Sequence, residues 1–190
     1  MQAWRVLIAL SFLLLSGCLV AFKEPLPAAQ AAPAQLLGKW ASKNAWGEPL
    51  NIQLSQIGAN RYRASSYPGG TARPRDTYDF TVSRHGNRWY LSAAVPQAFG
   101  GHYSLAGFEL TARHELVLYT LDLEQIRQAL GQKALSGEPM ATAEGDGVLI
   151  SSPLPEVFAY LDDPRQFRLV RRGGALQARG QVTPRYRPIQ

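Results

Sequence analysis

Residues 78–95 read YDFTVSRHGNRWYLSAAV, and this stretch decides the fold. Side chains alternate between the two faces of a β-strand, and apolar residues alternate here on both sides of Gly86-Asn87. The residues that share one face are Tyr78, Phe80 and Val82 in the first half, and Trp89, Leu91, Ala93 and Val95 in the second. Glycine accepts a positive φ without steric cost, so Gly86-Asn87 predicts a tight turn between two antiparallel strands.

Two further hairpins flank this one. Residues 50–55 alternate apolar and polar, and the turn residues 58–60 separate them from a returning strand at 61–67. Residues 103–111 and 115–121 form the third pair around 112–114. Three successive hairpins predict an antiparallel meander, which forms a small barrel or a strongly curved sheet. The fold class is therefore mainly β, with two short C-terminal helices packed on the sheet.

Helical periodicity is confined to the region after the meander. Asp122 can cap a helix that buries Leu123, Ile126 and Leu130 and ends at Gly131. A short apolar strand at 147–151 follows. For the second helix we expect Ser152 at the N-cap, Pro153 at the first position and one apolar stripe, composed of Leu154, Val157, Phe158 and Leu161. Both helices are expected to cover an open end or edge of the sheet.

A Gly-x-Trp motif, Gly38-Lys39-Trp40, lies just before the first hairpin. It resembles the motif that begins the first strand of lipocalins and related small barrels. The resemblance extends over residues 36–151 as an architecture, and it implies that Trp40 plugs the closed end of a barrel. It also implies an interior that is either filled by side chains or holds a ligand.

The N-terminus indicates where the protein resides. Arg5 precedes an apolar run, Val6 to Leu15, which is too short to span a membrane. The run leads into Leu15-Ser16-Gly17-Cys18, which resembles the lipobox of bacterial lipoproteins. That resemblance implies that residues 1–17 are a signal peptide and that Cys18, once exposed by cleavage, carries the acyl chains that anchor the protein in a membrane.

Residues 18–35 are rich in alanine and proline and have no hydrophobic period, which predicts an extended tether. At about 3.1 Å per residue, it would hold the domain up to about 50 Å from the bilayer. Residue 19 is leucine, whereas aspartate at this position retains enterobacterial lipoproteins in the inner membrane. We therefore expect an outer-membrane lipoprotein that faces the periplasm.

Composition supports one globular domain. Hydrophobic residues make up 46% of the 190-residue chain and charged residues 18%, and the single cysteine excludes an internal disulfide. We expect a single β-rich domain at 36–172, stabilised by its packed core, and a basic, flexible tail at 173–190.

The pattern of reactive residues favours binding over catalysis. His85, His102 and His114 are not spaced as metal ligands, and we expect them to be solvated in loops. The pair Asp76 and Asp79 is also assigned to loop solvation, since no further ligands occur at the spacing of a calcium loop. We therefore expect no catalytic residues, no metal site and no cofactor.

The C-terminal end is strongly basic. No acidic residue follows Asp163, and much of the net charge of +6 comes from seven arginines: Arg165, Arg168, Arg171, Arg172, Arg179, Arg185 and Arg187. They would bind an acidic envelope protein, anionic lipid or lipopolysaccharide, whereas a lipid-anchored exported protein is not expected to meet nucleic acid. The alternative is a solvated tail with no partner.

Two functions remain open. The first is a non-catalytic accessory that docks an envelope protein or an anionic glycan or lipid. The second is a lipocalin-like carrier or sensor of a small apolar ligand, whose cavity would be lined by Tyr62, Tyr78, Phe80, Trp89 and Tyr103. The sequence favours the accessory, because it shows no evident polar group that would orient a ligand.

Overall fold

A computed structural model of the chain describes residues 20–43, 49–68, 72–97, 100–142, 145–162 and 176–178. The fold is mainly β, as predicted: eleven strands form one mixed, strongly curved sheet, which carries two helices. The strands are β1 (Val20–Phe22), β2 (Gly38–Lys43), β3 (Pro49–Gly58), β4 (Arg61–Pro68), β5 (Asp76–His85), β6 (Arg88–Ala94), β7 (Tyr103–Leu110), β8 (Glu115–Thr120), β9 (Gly137–Thr142), β10 (Gly145–Ile150) and β11 (Leu176–Ala178). The helices are α1 (Leu123–Gly131) and α2 (Leu154–Asp162).

Strands β2 to β8 form the predicted meander, in which each strand pairs antiparallel with the next. The three predicted hairpins are confirmed. Their turns contain residues with positive φ: Asn60 at 54°, Gly86 at 58° and His114 at 58°. These tight turns all lie at one end of the meander, whereas the longer connections lie at the other end.

The remaining strands were not all predicted. Strand β11 lies between β8 and β2 and pairs with both, so part of the expected flexible tail belongs to the sheet. Strand β1 pairs antiparallel with β7 and parallel with β10, which in turn pairs with β9. Within the described ranges β9 has no other strand partner and is a free edge of the sheet, whereas β2 to β8 are joined into a ring by β11.

The curved sheet has an apolar core on each of its faces. We call the face that carries Trp40 the inner face; its buried residues are Leu36, Trp40, Leu54, Tyr62, Phe80, Val82, Ala93, Phe108 and Leu116. The outer core covers the opposite face of β6 and β7. It joins Tyr90 and Leu105 to residues of β1, β10 and both helices.

Both helices pack on the sheet, as predicted, but they cover its outer face and not an open end or edge, so that part of the prediction is wrong. The Asp122 cap of α1 is confirmed, since its Oδ1 accepts hydrogen bonds from the backbone N–H groups of Glu124 and Gln125. The predicted Ser152 cap of α2 is wrong. The hydroxyl of Ser152 instead accepts a hydrogen bond from the backbone N–H of Ser136 at 2.8 Å, and α2 begins at Leu154.

The N-terminal segment differs most from its prediction, because residues 20–36 pack on the sheet and do not form a free tether. Strand β1 is fully buried, and Leu26 is only 1% exposed in the outer core. The Thr81 hydroxyl donates to the Leu26 carbonyl at 2.8 Å, and the Ala32 N–H donates to the Tyr62 hydroxyl at 2.7 Å. The segment is held because its apolar side chains, Leu26 and Leu36, are buried against the rest of the protein.

Candidate functional site

Three polar side chains interrupt the apolar inner face at the end of the meander that carries the longer connections. We call them the inner polar group; they are Ser66 on β4 and Asp76 and Tyr78 on β5. Residues 76, 78, 80 and 82 alternate with outward-facing residues, so Asp76 and Tyr78 lie on the same face as the buried Phe80 and Val82. The sheet therefore presents polar atoms within a largely apolar concave surface.

Strand register places these residues beside one another. Ser66 lies directly opposite Asp76, which brings their Cβ atoms to within about 4.5–5.5 Å. The same row continues across the sheet through Ile52 on β3 to Trp40 on β2. Tyr78 belongs to the next row, opposite Ala64. The inner polar group is thus bordered by apolar side chains on its own face.

Two atoms of this group are buried without a hydrogen bond from any described part of the protein: Ser66 Oγ and Asp76 Oδ2. The Asp76 side chain is only 16% exposed. Its nearest charge is Arg75, whose Nε lies 3.8 Å from Asp76 Oδ2, beyond hydrogen-bond distance. A buried acceptor without a donor is costly, so this carboxylate retains an unused capacity to bind a donor.

The electrostatics of the group follow from its burial. Burial raises the pKa of Asp76 above its ordinary value, and the positive charge of Arg75 opposes this effect. Burial, reinforced by the charge of Asp76, raises the pKa of Tyr78 to about 12. The Tyr78 phenol is therefore protonated at neutral pH. Carboxyl groups whose pKa is perturbed by burial within a concave surface are candidates for functional residues.

Asp79 provides the contrast on the same strand. It faces outward, where the guanidinium of Arg63 donates to both carboxylate oxygens at 2.7 and 3.0 Å. This hydrogen bonding lowers the pKa of Asp79. The sequence-based assignment of both Asp76 and Asp79 to solvated loops is wrong, because both belong to β5. Extending the apolar face of Tyr78, Phe80 and Val82 back by two residues would have placed Asp76 inside.

Trp40 packs in the inner core and is linked to the 3-10 turn at Ala34–Leu36. It is 2% exposed, and its Nε1 donates to the carbonyl oxygen of Leu36 at 2.9 Å. Trp40 is thus a core residue of the inner face, and its role as a barrel plug stays a prediction. This packing leaves Trp40 unavailable for chemistry, since its only polar atom is already satisfied.

The aromatic residues expected to line an interior do not all share one face. Tyr62 and Phe80 are buried in the inner core with ring centroids 5.6 Å apart, and Trp89 packs on Phe108 at 6.0 Å. Tyr103 alternates with the inward-facing Ser104 and Ala106 and therefore lies on the outer face. That prediction is wrong for Tyr103, because the register of β7 reverses its expected orientation.

His85 has a structural environment that the sequence did not reveal. Its ring stacks on Phe158 of α2 at a centroid distance of 4.5 Å, and its Nε2 lies 2.6 Å from Asp162 Oδ2. The nearby Arg88 donates to the carbonyl of Leu161 at 3.1 Å. His85 is therefore not a solvated loop residue but fastens the end of α2 to the β5–β6 turn.

The remaining sequence-derived sites lie outside the described residues. These are the lipidation residue Cys18 and the possible anion-binding residues Arg165, Arg168, Arg171, Arg172, Arg179, Arg185 and Arg187. In the portions that are described, no cluster of three histidine, cysteine or acidic side chains is arranged to hold a metal ion. No helix there is both long and apolar enough to cross a membrane.

Compared with protein-family models, with curated proteins and with solved structures, the chain matches none of them. The function must therefore be inferred from the chain itself. Within the described structure, the inner polar group brings two unsatisfied buried polar atoms together: a carboxylate oxygen and a hydroxyl, with a protonated phenol and apolar side chains beside them. The third such atom, the hydroxyl of Tyr90, lies by itself in the outer core. The surface around the inner polar group can bind an amphipathic small molecule.

Proposed function

We propose that this protein is a lipid-anchored, non-catalytic binding protein of the bacterial envelope, whose curved sheet binds a small and largely apolar molecule on its inner face. The observation that supports binding is the pair of buried polar atoms, Ser66 Oγ and Asp76 Oδ2, that lack hydrogen bonds within the described structure. Small-molecule sites combine an apolar wall with a few polar groups that orient the ligand. The sequence alone favours docking over ligand binding, because no polar group that would orient a ligand is evident in it.

Anchoring rests on the resemblance of residues 15–18 to a lipobox. If Cys18 carries the lipid, the position of β1 restricts where the domain lies. Val20 is already buried in the sheet, and two residues of chain span at most about 7 Å. The domain would then rest against the membrane surface, in contrast to the distance of about 50 Å that a free tether of this length would allow.

Binding is tested with a neutral apolar dye whose fluorescence rises on leaving water. The full-chain protein is purified from the expressing cells in lipid nanodiscs, and the signal of empty nanodiscs is subtracted. The variant Ala64→Trp places a large ring beside Tyr78 on the inner face and should abolish dye binding. The matched variant Thr77→Trp changes the exposed outer face of the same sheet and should bind normally.

Circular dichroism and the urea midpoint show whether each variant is folded. Equal dye binding by folded Ala64→Trp and wild-type protein would contradict ligand binding on the inner face. Loss of dye binding in Ala64→Trp, together with normal dye binding by Thr77→Trp, supports it.

The position at the membrane is tested with a lipid-borne quencher of short range and a fluorophore on an introduced cysteine. Asp146 precedes, by two residues, the β10 residue that pairs with Val20, whereas His114 lies in the β7–β8 turn. A label at 146 should be quenched more strongly than one at 114. Equal quenching would contradict a domain held against the membrane, and membrane binding by Cys18→Ser would contradict lipid anchoring itself.

The second candidate function is docking of an acidic envelope protein or anionic lipid through the seven C-terminal arginines. It is supported by the net charge of +6 and by the absence of acidic residues after Asp163. Truncating the tail is a poor test, because β11 pairs with β2 and β8. Replacing Arg185 and Arg187 by glutamine retains β11, and docking predicts weaker, less salt-sensitive binding to anionic vesicles.

A further inference from the structure

We propose that the inner polar group recognises a cationic amine head, so that the ligand of the inner face is an amphipathic amine with an apolar tail. This inference rests on the proposed function and specifies the class of ligand. The residues that would contact the ammonium are Asp76 and Ser66, and the surrounding apolar side chains would contact the tail.

The number and type of polar atoms favour an ammonium. A primary ammonium has three N–H donors and no acceptor. The inner polar group offers two buried acceptors that no described group satisfies, Asp76 Oδ2 and Ser66 Oγ, and they face one another across β4 and β5. A bound ammonium would donate a hydrogen bond to each of these two acceptors and would place a positive charge in contact with the carboxylate.

The position of Arg75 explains why its own charge does not already satisfy this carboxylate. Its Nε stays 3.8 Å from Asp76 Oδ2, and the Arg75 side chain is 30% exposed, about twice the exposed fraction of Asp76. A weak contact at the rim is screened by solvent and leaves the buried oxygen available. An ammonium that entered along the inner face would approach this oxygen from the apolar side.

The same geometry discriminates against anionic amphiphiles. A fatty-acid carboxylate in this position would face the Asp76 carboxylate and would find no buried cation among the residues that form the inner polar group. An alcohol head could donate one hydrogen bond but carries no charge. Like charges in a site of low dielectric repel strongly, so the affinities for the ammonium, hydroxyl and carboxylate heads should differ clearly.

The apolar wall sets the requirement for a tail. On this face, the partly buried Ile52 lies beside Ser66 in the same row, and the partly buried Ala64 lies in the adjoining row, whereas Trp40 and Leu54 behind them are buried in the inner core. Affinity should therefore increase with chain length, because each additional buried methylene contributes favourably. A short hydrophilic amine lacks this contribution and should bind weakly.

The test is a comparison of three compounds with the same eight-carbon tail: octylamine, octan-1-ol and octanoate. Their binding to the full-chain protein in nanodiscs is measured at neutral pH by titration calorimetry, with empty nanodiscs subtracted. Octylamine should bind about tenfold or more tightly than octan-1-ol, as expected for a charge-assisted hydrogen bond, and octanoate should bind weakest.

Three variants test which side chains bind the amine. Asp76→Asn should weaken octylamine binding by about tenfold or more and change octan-1-ol binding by less than about threefold, because only the charged contact is lost. Asp79→Asn removes a carboxylate from the outer face of the same strand and should change none of the three affinities. Ser66→Ala should weaken octylamine binding by a smaller factor than Asp76→Asn.

The outcomes of these binding measurements distinguish failure of the amine assignment from failure of the proposed function. Octylamine that binds no better than octan-1-ol, or octanoate that binds best, overturns the amine assignment while leaving the proposed ligand site intact. Failure of all three compounds to bind contradicts the proposed function itself. Loss of octylamine binding in Asp79→Asn as well as in Asp76→Asn also overturns the assignment, since it would indicate a non-specific effect of charge.

Discussion

The two faces of the sheet differ in how their buried polar atoms are arranged: in the described part of the chain, the inner face has two unsatisfied atoms opposite one another, and the outer face has a single one. On the outer face, two hydroxyls tie distant segments together: the Thr81 hydroxyl donates to Leu26, and the Tyr160 hydroxyl donates to the carbonyl of Gln125. One buried hydroxyl of the outer core, that of Tyr90, has no hydrogen bond among the described residues. On the inner face, Ser66 Oγ and Asp76 Oδ2 have no hydrogen-bond partner among the described residues. The outer core therefore behaves as structure that holds distant segments together, whereas the inner face retains the features of a binding surface.

The two cores also differ in their origin along the chain. The inner core is assembled mainly from neighbouring strands of the meander. The outer core joins β1, the N-terminal segment, β10 and both helices, which lie far apart in sequence. Substitutions that weaken each core separately, or that alter the polar atoms of one face, test whether this division of roles is correct.

The largest expected effect is that of Trp40→Ala in the inner core. Truncation removes a side chain that is 2% exposed and also the hydrogen bond to Leu36, so we expect a loss of about 3–5 kcal/mol in the free energy of unfolding. Trp40→Phe retains most of the volume and should cost less. Urea unfolding followed by circular dichroism measures both, and a loss below about 1 kcal/mol for Trp40→Ala would contradict its position in the core.

Next in size is Leu26→Ala, which tests whether the N-terminal segment belongs to the fold. Leu26 is 1% exposed in the outer core, so the substitution should cost about 2–5 kcal/mol. Pro27→Ala alters the neighbouring exposed residue and serves as the control. If the segment were a free tether, Leu26→Ala would unfold at the same urea concentration as the wild-type protein.

A smaller effect on stability is expected for Asp76→Asn, which, in contrast to the two core variants, should not destabilise the protein at neutral pH. Because burial raises the pKa of Asp76 in the folded state, the folded protein binds more protons than the unfolded chain between the ordinary pKa and the raised value. The stability of the wild-type protein should therefore fall, relative to Asp76→Asn, as pH rises through that window. Above it, the variant should be at least as stable as the wild-type protein.

Asp79→Asn should show the reverse pH dependence. Hydrogen bonding to Arg63 lowers the pKa of Asp79, so its stabilisation is present above the ordinary pKa and is lost as pH falls through the folded value. Urea midpoints measured across acidic pH compare the two variants directly. The same direction of change in both would refute the inward and outward assignment of these carboxylates.

The smallest effect is expected for His85→Gln, at the junction of the outer core with the β5–β6 turn. The side chains of His85 and Asp162 are 38% and 45% exposed, and exposed ion pairs contribute less than about 1 kcal/mol. Loss of the ring stacked on Phe158 adds a small packing term. Thermal unfolding should therefore shift only slightly, and a loss comparable to that of Leu26→Ala would show that this contact is central to the outer core.

The sequence predicted those parts of the fold whose signals are local. Alternation and turn residues located the hairpins, and periodicity together with the Asp122 cap located the helices. Strand β1 and strand β9 escaped prediction, because three residues carry no measurable period and Pro139 is atypical of a strand. Both depend on pairing with β10, which is a contact between distant segments.

Recognition of the candidate site from the sequence was limited by the same dependence on distant contacts. The face to which Asp76 belongs follows from the alternation of β5, but its burial depends on the curvature of the whole sheet. Ser66 could not be paired with Asp76 without the register of β4 against β5. The packing of residues 20–36 on the sheet likewise depends on contacts with Tyr62 and Thr81, which no local sequence pattern predicts.

The most direct test of the account is an NMR titration of the Asp76 carboxyl carbon, assigned by comparison with Asp76→Asn, with and without saturating octylamine. A ligand-free pKa above the ordinary value, which octylamine lowers, is the predicted result, because a bound ammonium favours the charged carboxylate. A pKa that octylamine leaves unchanged would contradict the assignment of the inner face as a site for amines.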